Sequence, residues 1–146
     1  MITETYGYLS TKDKTRFVFQ SEGTRGKIIK IVQFNLIGGQ RWNLGFGDWK
    51  SGDIDDLVMS NNQDAIKVVR TVAKITIDFF EQNPKFIIVI NPIDEKRKRL
   101  YNFVFKRHFK DIILSYEVIG LIGKKKELYN PEKFYDSFEI YLKFES

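Results

Sequence analysis

Four aspartates within a short glycine-containing stretch are the first residues of this sequence that could do chemistry. They are Asp48, Asp53, Asp55 and Asp56. Carboxylates this close could bind Ca²⁺ or Mg²⁺, but the required glycine and the closing glutamate of a twelve-residue calcium loop are missing. The alternative is that the aspartates form turns and helix caps. The sequence therefore predicts no resident metal, and cation binding by this loop stays open as the alternative.

A second group of charged residues could neutralise phosphates. Its members are Lys96, Arg97, Lys98, Arg99, Lys106, Arg107 and Lys110. On a helix, residues three, four or seven apart share a side, so some of these cations make one face. The alternative is an ordinary solvated helix surface, on which Asp94 and Glu95 pair with their neighbours.

Most catalytic motifs are missing from the sequence. There is no cysteine, which excludes thiolate catalysis, disulfides and zinc sites built on sulfur. His108 is the only histidine, and neither a Gly-x-Ser-x-Gly elbow nor a glycine-rich phosphate loop is present. No complete catalytic set can be assembled from the residues alone.

Length and charge set further limits. A chain of 146 residues predicts a single domain, 1–146, with its own core. The formal net charge of +5 permits an acidic partner such as nucleic acid without requiring one. The first residues lack the pattern of a signal peptide, and no apolar run approaches the roughly 20 residues of a membrane span. We therefore expect a cytoplasmic protein with no membrane contact.

A helix-strand-helix unit at the centre of the chain must position these groups. Apolar residues recur at three- and four-residue spacings from Ile66 to Phe80, which predicts an amphipathic helix over Asn61–Gln82. Asn61 can cap it, and Asp64 lies in its first turn, where a carboxylate favours the positive helix end. Lys85–Ile90 ends in an uncharged β-branched run, which is typical of a strand at the centre of a sheet.

The second helix of this unit carries the cations. Asn91 as cap and Pro92 at the first helical position predict a helix over Pro92–Lys110. Its late basic residues suit the negative end of the helix dipole. Its buried side is predicted to consist of four apolar residues, Leu100, Phe103, Val104 and Phe105.

The segments on either side are expected to be strands. Before the unit, Thr15–Gln20, Lys27–Leu36 and Trp42–Phe46 are separated by glycine turns and predict an antiparallel meander. The second of these strands alternates imperfectly, which suggests a bulge.

The C-terminal part predicts a β-hairpin and a last strand. Ile112–Leu121 and Lys126–Tyr129 flank a turn at Gly123, and Phe138–Phe144 alternates as a half-buried strand does. The fold class is therefore α+β: an N-terminal antiparallel meander, a central helix-strand-helix unit and a C-terminal β-hairpin.

Five sequence blocks resemble the signature of a bacterial domain-of-unknown-function family, found mostly in Bacteroidota. The blocks are Asn43–Asp48, Ile54–Val58, Asn61-Asn62 with Asp64, Thr71–Ala73 and Arg97–Tyr101. The family's usual glycine after the double asparagine is Gln63 here. The resemblance implies no activity, but its polar residues lie at loop and helix ends, where binding groups are common.

A partial resemblance to the GNAT acetyltransferase fold covers the second half of the chain. Ile88–Asn91, followed by Arg97 and then Leu100-Tyr101, is similar to that family's Asn…Arg…Leu-Tyr block. The resemblance implies acetyl-CoA as cofactor and Tyr101 as general acid. The glycine-rich turn that binds the coenzyme's pyrophosphate would fall near residues 61–64, which contain no glycine and include Asp64.

These observations favour a binding or interaction module without enzymatic activity and without a cofactor, whose partner is a protein or a nucleic acid. The predicted binding residues are Asp48, Asp56, Asn62, Asp64, Arg97, Arg99 and Tyr101. The alternative is a degenerate GNAT-like acyltransferase that uses acetyl-CoA. Under that alternative Tyr101 is the proton donor, and Asp55 or Asp56 is the base.

Overall fold

The computed structural model describes residues 4–24, 26–48 and 62–143. Within these residues the chain forms strands and two helices. The strands are β1 (Tyr8–Ser10), β2 (Arg16–Gly23), β3 (Gly26–Gly38), β4 (Arg41–Asp48), β5 (Ile87–Ile90), β6 (Tyr116–Ile122), β7 (Lys125–Leu128) and β8 (Ser137–Leu142). The helices are α1 (Asn62–Gln82) and α2 (Glu95–Ile112).

The strands form one mixed sheet in the order β1-β2-β3-β4-β5-β8-β6-β7. The predicted α+β class is therefore confirmed, and the order of strands and helices broadly follows the prediction. The chain divides into two compact units. Unit 1 comprises residues 1–35 and 45–82, and unit 2 comprises residues 36–44 and 83–146. The single domain of residues 1–146 stays a prediction.

Unit 1 is an antiparallel sheet packed against helix α1. Strand β2 pairs with β1 on one edge and with β3 on the other. Alternate residues of β2 and β3 are buried, and the ring of Phe34 stacks on that of Phe79 in α1 with centroids 4.0 Å apart. Strand β1 is missing from the sequence-based prediction because three residues are too few to show an alternating pattern.

Strand β3 has no bulge in its pairing with β2, although its irregular apolar pattern suggests one. Its register with β2 is continuous from Arg16 opposite Gln33 to Gly23 opposite Gly26. The pattern is irregular because Lys30 occupies a core-facing position and is only 1% exposed. Its ammonium group forms an ion pair with Asp48 of the same unit. An unpaired charge in the interior would be costly, so this carboxylate is what lets a lysine stand among apolar neighbours.

Unit 2 is a mixed sheet packed against helix α2. Strand β5 pairs in parallel with β4 and antiparallel with β8, so it is a central strand as predicted. Ile88 and Ile90 of β5 are buried. The ring of Phe105 in α2 stacks on that of Phe138 in β8 with centroids 4.4 Å apart. This aromatic contact places the helix on one face of the sheet.

The last strand is more deeply buried than predicted. It spans Ser137–Leu142 rather than 138–144, and it lies between β5 and β6, hydrogen-bonded to both. Three consecutive residues, Phe138, Glu139 and Ile140, are buried as a result. An alternating pattern cannot reveal this, because the insertion of a strand between two earlier ones leaves no local signal.

Helix α2 begins later than predicted. Its N-cap is Asp94, not Asn91, and the Asp94 carboxylate accepts a hydrogen bond of 2.8 Å from the amide of Arg97. The prediction placed Pro92 at the first helical position and is wrong. Asp94 is the better start, because its carboxylate both caps the helix and binds the Arg97 guanidinium, Oδ2 to Nη1 at 2.6 Å.

Replacing Gly120 with alanine should destabilise the protein. A Cβ at this position of β6 would overlap the ring of Tyr135, whose side chain is fully buried. Forcing an extra carbon into a filled core costs about 1–3 kcal/mol. Urea denaturation followed by circular dichroism measures the loss in the free energy of unfolding.

Gly38→Ala is the matched control. A Cβ at Gly38 meets no atom within 4 Å. Equal stability of the two variants would contradict the packing described for Tyr135.

Candidate functional site

The acidic stretch named in the sequence analysis contributes one described residue. Asp48 lies at the end of β4, and its carboxylate pairs with the buried Lys30, so it neutralises a core charge. Asp53, Asp55 and Asp56 lie outside the described residues, and their predicted roles stay predictions. Among the residues that the structure describes, no cluster of three or more acidic or histidine side chains could hold a metal ion.

Asp64 connects the first turn of α1 to the N-terminal segment and to β2. Its carboxylate accepts hydrogen bonds from the Tyr6 hydroxyl and from Ser21 Oγ, the latter at 2.6 Å. Burial, and then the neighbouring carboxylate, raise the pKa of Tyr6. The backbone amide of Tyr6 also donates to Thr71 Oγ1 at 2.8 Å. Asp64 therefore holds three segments of unit 1 together. The side chain of Asn62 lies outside the described part of the chain.

Arg97 is buried, and Tyr101 is partly exposed. Arg97 pairs with Asp94, as described for the helix start. Burial raises the pKa of Tyr101 to about 12, although the nearby Arg97 lowers it. Tyr101 therefore keeps its proton at neutral pH and gives it up reluctantly. The Arg97 side chain supports the beginning of α2 through its pair with Asp94.

Four cations instead share the exposed side of α2. We call them the basic stripe: Arg99, Lys106, Arg107 and Lys110. Within the described ranges, no carboxylate lies within 4.0 Å of any of them. Two other cations of this helix differ, because Arg97 pairs with Asp94, and Lys98 pairs with Asp136 at 2.5 Å. The stripe is therefore not neutralised by carboxylates of the described residues.

Phe103 lies in the middle of the basic stripe, which corrects the prediction that it belongs to the buried side of the helix. Its side chain is 57% exposed, and the guanidinium of Arg107 lies 6.0 Å from its ring centroid. The neighbouring Phe105 is the buried ring. Two residues correspond to about half a helical turn, so the two rings must face in nearly opposite directions.

A buried carboxylate with two cations is the group that the sequence analysis missed. Glu139 of β8 binds the Arg41 guanidinium with both oxygens, at 3.3 and 2.8 Å, and Lys126 Nζ at 3.0 Å. Arg41 lowers the pKa of Glu139 below its ordinary value, and Lys126 adds to this effect. Arg41 and Glu139 are 98 residues apart in the sequence, so only the strand order could have shown the pair.

The fold and the exposed charges define an α+β protein with a basic helix face. A family model described as a family of unknown function (DUF6934) matches residues 2–143. The chain belongs to this family. Neither the comparison with curated proteins nor that with solved structures returned a match. Among the described residues, no helix has the length and apolar character needed to cross a membrane.

The Glu139 cluster predicts a loss of stability in acid. Because its pKa is lower in the folded chain than the ordinary 4.5, ionised Glu139 stabilises the fold above about pH 4.5. That contribution disappears as the pH falls further and Glu139 is protonated. Chemical denaturation at a series of pH values measures the free energy of unfolding. Below about pH 4.5 this free energy should depend less steeply on pH in Glu139→Gln than in the intact protein, and at pH 7 it should be lower.

Glu132→Gln provides a control with the same change of charge. Glu132 is exposed, and its carboxylate has no ion pair among the described residues. The other carboxylates titrate in both variants, so the difference between the two curves isolates Glu139. Parallel curves for the two variants would contradict the prediction.

Proposed function

We propose that this protein is a binding module whose basic stripe contacts the phosphates of a nucleic acid. The observation that carries the proposal is that four exposed cations share one side of α2, with no carboxylate partner among the described residues. Elsewhere on the same helix, Arg97 and Lys98 are paired with acids. Phosphates neutralised by such a surface release counterions, which is the usual source of non-specific affinity for nucleic acid.

The dimensions of the stripe suit a phosphate backbone. From Arg99 to Lys110 it extends about 16 Å at 1.5 Å per residue, and successive phosphates on one strand of B-form DNA advance about 3.4 Å along the duplex axis. The stripe is therefore long enough to contact several successive phosphates. Arg99 and Arg107 supply planar forks that suit phosphate oxygens, and the net charge of +5 attracts a polyanion over longer distances. The proposal places the protein in the cytoplasm and requires no cofactor.

The acyltransferase alternative has less support. A tyrosine whose pKa is about 12 is a poor proton donor near neutral pH, where the best general acids have pKa values close to the operating pH. Asp64, at the start of α1, would also oppose a pyrophosphate there. A thermal-shift titration with acetyl-CoA tests this alternative directly, because ligand at a hundred times its Kd adds about 2.7 kcal/mol of stability.

Removing three charges from the stripe should weaken binding and its dependence on salt. In the triple variant Arg99→Gln, Lys106→Gln and Lys110→Gln, up to three phosphate contacts are lost. The slope of log K against log salt concentration should become less negative by about 2–3. Fluorescence anisotropy with a labelled oligonucleotide of about 20 nucleotides measures this slope, and the length exceeds a usual single-strand site.

A control variant separates the stripe from net charge. Lys12→Gln, Lys14→Gln and Lys85→Gln remove the same charge at exposed positions outside α2. Equal losses in the two triple variants would contradict a localised interface. Tighter binding to polyglutamate than to the oligonucleotide would show an acidic protein partner and contradict the nucleic-acid proposal.

A further inference from the structure

We infer, resting on the proposed function, that the nucleic acid bound is single-stranded and that Phe103 stacks on one of its bases. The geometry points to this residue because a large aromatic ring stands exposed in the centre of the basic stripe. Arg99 lies one turn before Phe103, and Lys106 and Arg107 lie one turn after it. A strand whose phosphates follow the cations therefore passes over the ring.

A second exposed ring is attached to the same helix. Phe134 is 49% exposed, and the ammonium of Lys98 lies 5.3 Å from its ring centroid. Lys98 also binds Asp136, two residues beyond this phenylalanine, at 2.5 Å. Each of these two phenylalanines therefore lies within 6.0 Å of a cation of α2.

The chain segments that carry the two phenylalanines are joined by a pair of hydrogen bonds. Asn102, the residue before Phe103, donates to the Tyr135 carbonyl at 2.9 Å and accepts from the Tyr135 amide at 2.8 Å. Tyr135, the residue after Phe134, is fully buried. The loop that carries Phe134 is thus fixed to the helix that carries Phe103.

Stacking distinguishes a single strand from a duplex. In a duplex the base faces are already stacked on one another, so an aromatic ring beside the phosphates finds only sugar and backbone. An unpaired strand can turn its bases outward onto such a ring, and this stacking tolerates any sequence. Cations alone would serve either form of nucleic acid. The exposed rings are therefore the feature that selects the single strand.

The test compares an oligothymidine strand of about 20 nucleotides with a duplex of equal length. The intact protein should bind the single strand more tightly. Phe103→Ala should weaken single-strand binding by about tenfold, with no change in the salt slope, and should leave duplex binding unchanged. Phe103→Leu keeps the apolar bulk without the aromatic face, so it should behave like the alanine variant. Lys98 precedes Phe103 by five residues, about 140° around the helix, so Phe134 lies outside the basic stripe, and Phe134→Ala should weaken single-strand binding less than Phe103→Ala does.

Leu114→Ala is the matched control for removal of an exposed apolar side chain. Leu114 lies beyond the end of α2, is 79% exposed, and should be replaceable without loss of affinity. A strand that carries 2-aminopurine should change its fluorescence on binding, and Phe103→Ala should reduce that change. Circular dichroism of each variant verifies that the fold is retained.

The outcomes separate the two proposals. Binding that depends on the basic stripe but is unchanged in Phe103→Ala, or is equally tight for the duplex, would overturn this inference alone. Absence of binding to either nucleic acid would overturn the inference and the proposed function together. A tenfold loss limited to the single strand would support both.

Discussion

The two-sided pairing of strand β8 is the constraint on which unit 2 depends. Hydrogen bonds to β5 on one edge and β6 on the other leave this strand no freedom to slide, because a shift by one residue would turn every side chain to the opposite face. One face of β8 presents Phe138, against which Phe105 of α2 packs. The position of the helix, and therefore of its exposed cations, follows from this strand.

The opposite face of β8 carries a buried charge that is paired with cations of the same unit. Glu139 is buried there, and Arg41 and Lys126 supply the cations that compensate for its loss of solvent. Unit 1 has the reverse arrangement, in which the buried Lys30 receives the carboxylate of Asp48. In both units a charge in the interior is accompanied by a partner, since an isolated one would be strongly destabilising. These pairs are explained by the fold and need no ligand.

The four cations of the basic stripe lie together on one exposed side of α2. Arg97 and Lys98 belong to the internal network, whereas the basic stripe does not. A function assigned to the whole run from Lys96 to Arg99 would therefore combine cations that stabilise the fold with cations that are accessible to a ligand. Exposure and pairing, rather than residue type, separate the two groups. The same criterion separates Phe103, which is exposed, from Phe105, which belongs to the core.

The sequence predicted much of the local structure, because local structure depends on neighbours along the chain. Apolar spacing located both helices, and glycine turns separated the strands of the meander. The start of α2 was misplaced because Asn91-Pro92 and Asp94 are both good start signals, and only the bond from Asp94 to Arg97 decides between them. Phe103 was misassigned because an apolar residue is expected on the buried side, although a single exposed one costs little.

By itself, the sequence determined the fold class, the central place of β5, the absence of cysteine chemistry and the presence of many cations on one helix. Only the tertiary structure decided the place of β8 in the sheet, the burial of Lys30 and the choice of which cations are neutralised. The reason is that these features depend on partners far apart in the chain. Arg41 and Glu139 are separated by 98 residues, and Asn102 and Tyr135 by 33. Periodicity reports which side of an element is apolar, but it carries no information about the residue that will lie opposite.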